Sequence, residues 1–172
     1  LIATGGRGVY RMDVDSLVPK PYITADYASH NGMNGDNIND IYVDGGDRIW
    51  LANYPAGVTI RNNRYQSYEW FRHSPGNSRS LVNDQVHDVI EDSEGDLWFA
   101  TSNGISLLQP AVGRWRSFLS RSDGIQDGGN HIFLTLCEVS PGVICAGGYA
   151  SGLYRIEKKT GRVEYFPPSF AA

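Results

Sequence analysis

The stretch Gln85-Val-His-Asp-Val-Ile-Glu-Asp-Ser-Glu-Gly-Asp-Leu-Trp98-Phe-Ala-Thr-Ser-Asn-Gly-Ile105 decides the fold. Val86–Glu91 and Leu97–Thr101 are two short β-rich runs joined by the turn Asp92-Ser-Glu-Gly-Asp96, in which Gly95 supplies a positive φ. A tight turn at Ser102-Asn-Gly104 leads into Ile105–Gln109, Pro110 to Gly113 turns the chain again, and Trp115–Leu119 is a further run. Four antiparallel strands in roughly 40–50 residues make one blade of a β-propeller.

The pattern recurs on either side. Before it stands Asn37-Ile-Asn-Asp-Ile-Tyr-Val-Asp-Gly-Gly-Asp-Arg-Ile-Trp50-Leu-Ala-Asn53; after it stands Ile132-Phe-Leu-Thr-Leu-Cys-Glu-Val-Ser-Pro-Gly-Val-Ile-Cys145-Ala-Gly-Gly148. The slot of Trp50 and Trp98 falls on Leu1 and Cys145, at spacings of 49, 48 and 47. A glycine followed by an aliphatic residue recurs at Gly8, Gly57, Gly104 and Gly152, at intervals of 49, 47 and 48. Two markers drifting by one residue around a common period are hard to obtain by chance.

The expected fold is therefore all-β: about three and a half four-stranded antiparallel blades of a propeller, divided as 1–35 (partial), 36–82, 83–128 and 129–172. One blade cannot bury both faces, so neighbours complete the core. Closed propellers typically need 4–8 blades. The chain starts at Leu1 without an initiator Met, on the second strand of a blade, which points to a piece of something longer. An open arc leaves apolar faces at both ends, and the expected partners there are the remaining blades of the parent or a second copy of the chain.

Composition agrees. The 172 residues include 20 Gly, 10 Tyr, 4 Trp and 6 Phe, with 41% hydrophobic and 20% charged residues. Nowhere does an eleven-residue helical periodicity appear; residues 76–82 offer one turn at most. Fifteen basic against 19 acidic side chains, with no basic run, disfavour a nucleic-acid partner. No apolar stretch approaches the ~20 residues of a membrane helix, so membrane contact by this segment is not expected. No signal peptide opens the chain.

Each chemistry-bearing residue has a bland reading beside it. Trp50 and Trp98 read as inter-blade packing. Asp40 and Asp88, with Thr135 in the third unit, read as a structural hydrogen bond to a loop, because catalysis would use a residue once and not in every blade. Asp92–Asp96 is similar to a calcium loop but lacks the 12-residue EF-hand pattern and its closing Glu. Thr4-Gly-Gly-Arg-Gly8 has no helix after it and falls on a strand turn, so it is no phosphate cradle. No cofactor and no metal site is expected: two cysteines are too few for a zinc site, and His30, His73, His87 and His131 are scattered. No Gly-x-Ser-x-Gly elbow and no paired-carboxylate spacing marks a catalytic centre. In the register that pairs Ile90 with Trp98, Cys137 faces Cys145 across adjacent strands; two buried thiols are the default expectation, and a cross-strand disulfide the alternative in an oxidising compartment.

The linker Tyr68-Glu-Trp-Phe-Arg-His-Ser-Pro-Gly-Asn-Ser-Arg-Ser-Leu-Val-Asn-Asp-Gln-Val86, followed by the stretch quoted at the outset, closely resembles the two-component regulator propeller repeat. The shared features are an aromatic-rich strand, a His-x-Pro loop and a Ser-Leu-x-Asn step. After these come an acidic Asp-x-x-Gly turn, Leu-Trp and a closing Gly-aliphatic pair. Ala100 stands where the repeat usually has Gly, and Ile105 where it has Leu. Asn34-Gly-Asp-Asn37 and Asp123–Asn130 look like the alternative linker of the same repeat. In the third unit Cys145 replaces Trp and Val139-Ser-Pro-Gly replaces the acidic turn.

What the resemblance implies is a sensor. Such repeats build the periplasmic region of bacterial hybrid two-component regulators, usually as seven-bladed propellers ahead of a histidine kinase, and many members respond to oligosaccharides. The implied function is a periplasmic ligand-sensing segment with no kinase activity in these residues. The ligand would meet the face where strand-four-to-one and strand-two-to-three connections gather, at Asn53, Tyr54, Asn103, Asn130, His131 and Tyr149, since tyrosine rings stack on sugars and amides bond hydroxyls. The alternatives are a propeller enzyme of the streptogramin-lyase type and a scaffold that binds protein only.

Overall fold

The computed structural model describes residues 1–26, 32–121 and 130–168. Among the described residues, fifteen strands form four antiparallel sheets, each built from consecutive segments. The first has three strands, β1 (Ile2–Thr4), β2 (Gly8–Met12) and β3 (Pro19–Ile23). The second is β4 (Ile38–Val43), β5 (Arg48–Asn53), β6 (Gly57–Asn62) and β7 (Ser67–Phe71). The third is β8 (Val86–Glu91), β9 (Leu97–Thr101), β10 (Gly104–Gln109) and β11 (Arg114–Phe118). The fourth is β12 (Phe133–Ser140), β13 (Val143–Gly148), β14 (Gly152–Glu157) and β15 (Val163–Phe166). No α-helix occurs among the described residues. This is the expected arc: three four-stranded blades behind an incomplete first one. His30 and all of the Asp123–Asn130 linker except Asn130 lie outside the described residues.

The core lies between the sheets. One cluster joins Val9 and Ile23 of the first blade to Ile38, Ile49 and Leu51 of the second. A second joins Trp50, Val58 and Ile60 to Val86, Val89, Leu97 and Phe99. A third joins Trp98, Ile105 and Leu107 to Phe133, Leu136, Ile144 and Ile156. Side chains alternate faces along a strand, so Trp50 and Trp98 look forward to the next blade while Leu51 and Phe99 look back to the previous one.

Trp50 and Trp98 have like surroundings. Each indole Nε1 donates to an aspartate Oδ2 six residues earlier, Asp44 or Asp92, at 2.8 Å. Each ring stacks on the Phe of its outer strand, Phe71 at 6.1 Å and Phe118 at 5.3 Å between centroids. The same aspartates organise the first hairpin: Oδ1 of Asp92 accepts from the backbone of Glu94 and Asp96, and Oδ1 of Asp44 from Gly46 and Arg48. Gly95 takes φ 81° in that turn.

The recurring glycine closes each blade onto the chain that leaves it. Gly57 and Gly104 take φ 82° and 100°. A Cβ on either would stand 2.2 Å from the Phe71 carbonyl oxygen or 2.8 Å from that of Phe118. Their N–H groups donate to the carbonyls of Asp84 and His131, in the links to the next blade. Gly8 and Gly152 have the same sign of φ, and a Cβ there would meet the carbonyls of Ile23 and Phe166.

Two expectations need correction. The Asp slot does not bond a loop. Oδ2 of Asp40 accepts from the backbone N–H of Val89 at 3.0 Å, and Oδ2 of Asp88 from that of Leu136 at 2.6 Å. Each carboxylate therefore reaches the inner strand of the following blade. The cysteines are opposite one another as expected, and both are free thiols, but Cys137 is exposed and Cys145 only half-buried. Both lie on the forward face of the last blade, where no described sheet packs.

Candidate functional site

Each inner strand begins with a β-bulge. The register shifts between Ile38 and Asp40, between Val86 and Asp88, and between Phe133 and Thr135. The extra residue is Asn39, His87 or Leu134. A bulge leaves one residue unpaired and re-aims its side chain. The flanking slots recur from unit to unit; the bulged residue does not. Just above it, the strand-two-to-three turn is pinned to the start of its own inner strand: the N–H groups of Tyr54, Ser102 and Tyr149 donate to the carbonyls of Asn37, Gln85 and Ile132 at 2.9, 3.0 and 2.8 Å. Two variable positions per blade are thus held next to one another around the inner rim of one face.

In the middle of the arc these positions form a connected cluster. His87 Nε2 lies 2.8 Å from the Ser102 hydroxyl. Its Nδ1 lies 3.4 Å from the Asn39 amide nitrogen, which also donates to the Val86 carbonyl at 2.9 Å. The Tyr54 and His87 rings are 5.7 Å apart between centroids. Burial holds the His87 pKa below the usual imidazole value, favouring the neutral ring. With Nδ1 facing an amide donor, the proton sits on Nε2 and is given to Ser102 Oγ, an assignment that follows from the partners. The Ser102 hydroxyl is then free to donate outward. The cluster offers a ring face, an amide and an oriented hydroxyl: a set suited to a neutral, hydroxyl-rich ligand.

The residues singled out from the sequence separate into two groups. Tyr54 stands in this cluster, at the start of a cis Tyr54–Pro55 bond. Tyr149, in the equivalent turn of the last blade, is 56% exposed. Asn130 is exposed at the edge of the described residues. Asn103 is half-buried and accepts from the Arg121 N–H at 3.3 Å. The other two are committed to the frame. Asn53 is fully buried, donating to the Gly35 carbonyl at 2.9 Å. His131 Nδ1 lies 2.7 Å from the Leu119 carbonyl, while its own carbonyl accepts from Gly104. The sequence reading missed Asn39 and Ser102 and left His87 unassigned. The available signal was position: Asn39 and His87 each sit one residue before the recurring Asp.

Deeper on the inner strands, the Asp88 carboxyl group neighbours that of Asp40. Desolvation is the main cause that pushes the Asp88 pKa up to about 6; the neighbouring Asp40 carboxyl and its charge add to it, against the Leu136 N–H and Thr135. A hollow of about 560 Å³ between the 73–82 link and β11, lined by His73, Asn77, Leu81 and Trp115 among others, contains none of the residues singled out for ligand.

Residues 80–103 match the family profile described as "Two component regulator propeller". No curated protein matches the sequence. Among solved structures, the chain is similar to the extracellular domain described for a hybrid two-component system of B. thetaiotaomicron, with 22% identity, a TM-score of 0.78, and coverage of 95% of this chain and 22% of that one. A second such domain from the same organism gives 21% identity, a TM-score of 0.69, and coverage of 95% and 21%. PorZ, a surface component of the type-IX secretion system of Porphyromonas gingivalis, gives 12% identity, a TM-score of 0.62, and coverage of 95% and 25%. The chain therefore spans between a fifth and a quarter of the length of these structures. Residues 80–103 are thus similar to the two-component regulator propeller repeat, and the chain shares the fold of those extracellular domains.

Proposed function

We propose that this chain is a ligand-sensing segment of the extracytoplasmic region of a hybrid two-component regulator, placed in the periplasm, and that it acts without catalysis of its own. The observation that carries the reading is the division of labour along the first two strands of each blade. Slots that recur (Trp50 and Trp98, Asp40 and Asp88) are spent on joining blades. The varied bulge and turn positions are grouped at one rim. A neutral oligosaccharide suits Tyr54, His87, Ser102 and Asn39, with Tyr149 as an outlying stacking face. Calorimetric titration of a panel of neutral oligosaccharides tests this. Heat of binding is expected for at least one sugar, with affinity lowered about tenfold or more in Tyr54→Ala and His87→Ala, a change of about 1.4 kcal/mol. Absence of heat across the panel, or unchanged affinity in both variants, rejects the site.

A further inference from the structure

The Asn39–His87–Ser102 cluster has one place for a proton on the imidazole and none ready for a second. Asn39 Nδ2 donates to the Val86 carbonyl at 2.9 Å, and a carbonyl only accepts, so the amide is fixed with its nitrogen toward His87. That nitrogen lies 3.4 Å from His87 Nδ1, which therefore accepts, while Nε2 carries the proton 2.8 Å from Ser102 Oγ. We propose that this arrangement makes the rim site acid-sensitive: protonation of His87 at Nδ1 sets two donors face to face, turns the Asn39 amide over and breaks its bond to Val86. The effect on ligand rests on the reading given under Proposed function; the switch itself does not.

Asn39 lies on β4 and Val86 on β8, so the bond that is lost joins the inner strands of the two middle blades. Once the amide has turned, its Oδ1 accepts from Nδ1–H and the Val86 carbonyl loses this donor. Burial of the ring acts in the same direction and holds its pKa below the usual imidazole value. Among the described residues, no charge faces the ring to offset this. The titratable group against it is the Tyr54 phenol, with 5.7 Å between centroids. Asp40 on β4 and Asp88 on β8 turn their carboxyl groups to the N–H groups of Val89 and Leu136. Glu138 on β12 is held by Ser93 and Gly142 at the other end of the blade, and Arg48 on β5 by Asp44. The neutral ring, with the Ser102 hydroxyl free to donate outward, therefore prevails at neutral pH. Below the His87 midpoint this competent fraction falls about tenfold for each pH unit, and the apparent Kd rises by the same factor.

NMR of the His87 ring nitrogens and the Asn39 side-chain amide, followed into the acid range, tests the switch without any ligand. The expected result is an Nε2–H tautomer at neutral pH, a midpoint below the ~6.5 of a free imidazole, and Asn39 signals that move with that midpoint. Asn39→Asp puts an acceptor where the donor stood and should raise the midpoint above the free value; Asn39→Ala should raise it less. Asp88 titrates nearby, with a pKa of about 6, so the same His87 step is expected in Asp88→Asn. Circular dichroism checks that each variant folds, and the tautomer is read on the wild type alone. A proton on Nδ1 at neutral pH, Asn39 signals that ignore the His87 midpoint, or an unmoved midpoint in folded Asn39→Asp would each overturn the switch. For any sugar of the neutral panel that gives heat, Kd should rise below the midpoint, and from a higher pH in Asn39→Asp. A Kd independent of pH would overturn acid sensitivity of the site. No heat across the panel would reject the ligand reading, and the ring and amide signals would still decide the switch.

Discussion

Asp88 shows how one side chain can tie a fold to pH. Its carboxyl group holds the Leu136 N–H of the next blade and neighbours the Asp40 carboxyl group of the previous one. Two carboxyls in contact share a proton more easily than they share two negative charges. The folded pKa, about 6, lies above the value of about 3.9 in an unfolded chain. For a raised pKa the stabilising contribution is complete below the unfolded value and fades as pH rises through the folded one. Stability contributed by this pair is thus expected to fall from about pH 4 to about pH 6. Asp88→Asn keeps an acceptor for Leu136 and gains a donor for Asp40, so it reproduces the protonated state. Urea midpoints measured across that range should lose this part of their pH dependence in the variant. An unchanged slope would mean that the pair does not share a proton.

At the scale of the element, the hairpin Asp92–Asp96 is built around charge. Lys158, in the turn between β14 and β15, places Nζ 2.6 Å from Asp92, 2.7 Å from Glu94 and 2.8 Å from Asp96. Its side chain is 7% exposed and that of Asp92 is 0%. Burial works to raise the Asp92 pKa, but the Lys158 ammonium, the Trp98 indole and the turn N–H groups outweigh it and hold the group below the usual carboxylate value. The opposing groups likewise outweigh burial at Lys158 and push its pKa up. The position that a calcium ion would take in a loop of this kind is filled by a lysine from the next blade. Removing one partner of a buried pair leaves an uncompensated charge and costs about 3–5 kcal/mol. Lys158→Met is expected to lower unfolding free energy by an amount of that order, measured by denaturant melts. A loss under about 1 kcal/mol would show that the cluster behaves as an exposed pair.

The whole molecule explains why some of this was legible in the sequence and some was not. The period, the strand order and the inter-blade core follow from markers that must recur, because each blade meets its neighbour through the same slots. Trp98 and Gly104 are legible for that reason: one fills the seam, and the other lies too close to a carbonyl for a Cβ. The partner of Asp40 was not legible, since a single repeat gives no hint that a carboxylate reaches the backbone 49 residues on. Lys158 was hidden because it occurs in one unit and meets an acid 66 residues away. At the candidate site, Tyr54 could be chosen by residue type. The roles of Asn39 and His87 depend on bulges that only strand register reveals. Asn53 and His131 have the right chemistry for a ligand, but their hydrogen bonds go to the links between blades. At the two ends of the arc Ile2 and Leu153 remain 38% and 43% exposed, whereas the corresponding Leu51 and Phe99, and Val58 and Ile105, of the blades between are buried.

The claim beneath all of this is that recurring inner-strand aspartates fasten each blade to the next. Amide hydrogen exchange on the wild type and on Asp88→Ala measures it directly. The Leu136 N–H should exchange slowly in the wild type and much faster in the variant, while the Val89 N–H, held by Asp40, stays protected. Equal exchange at Leu136 in both proteins would contradict the account.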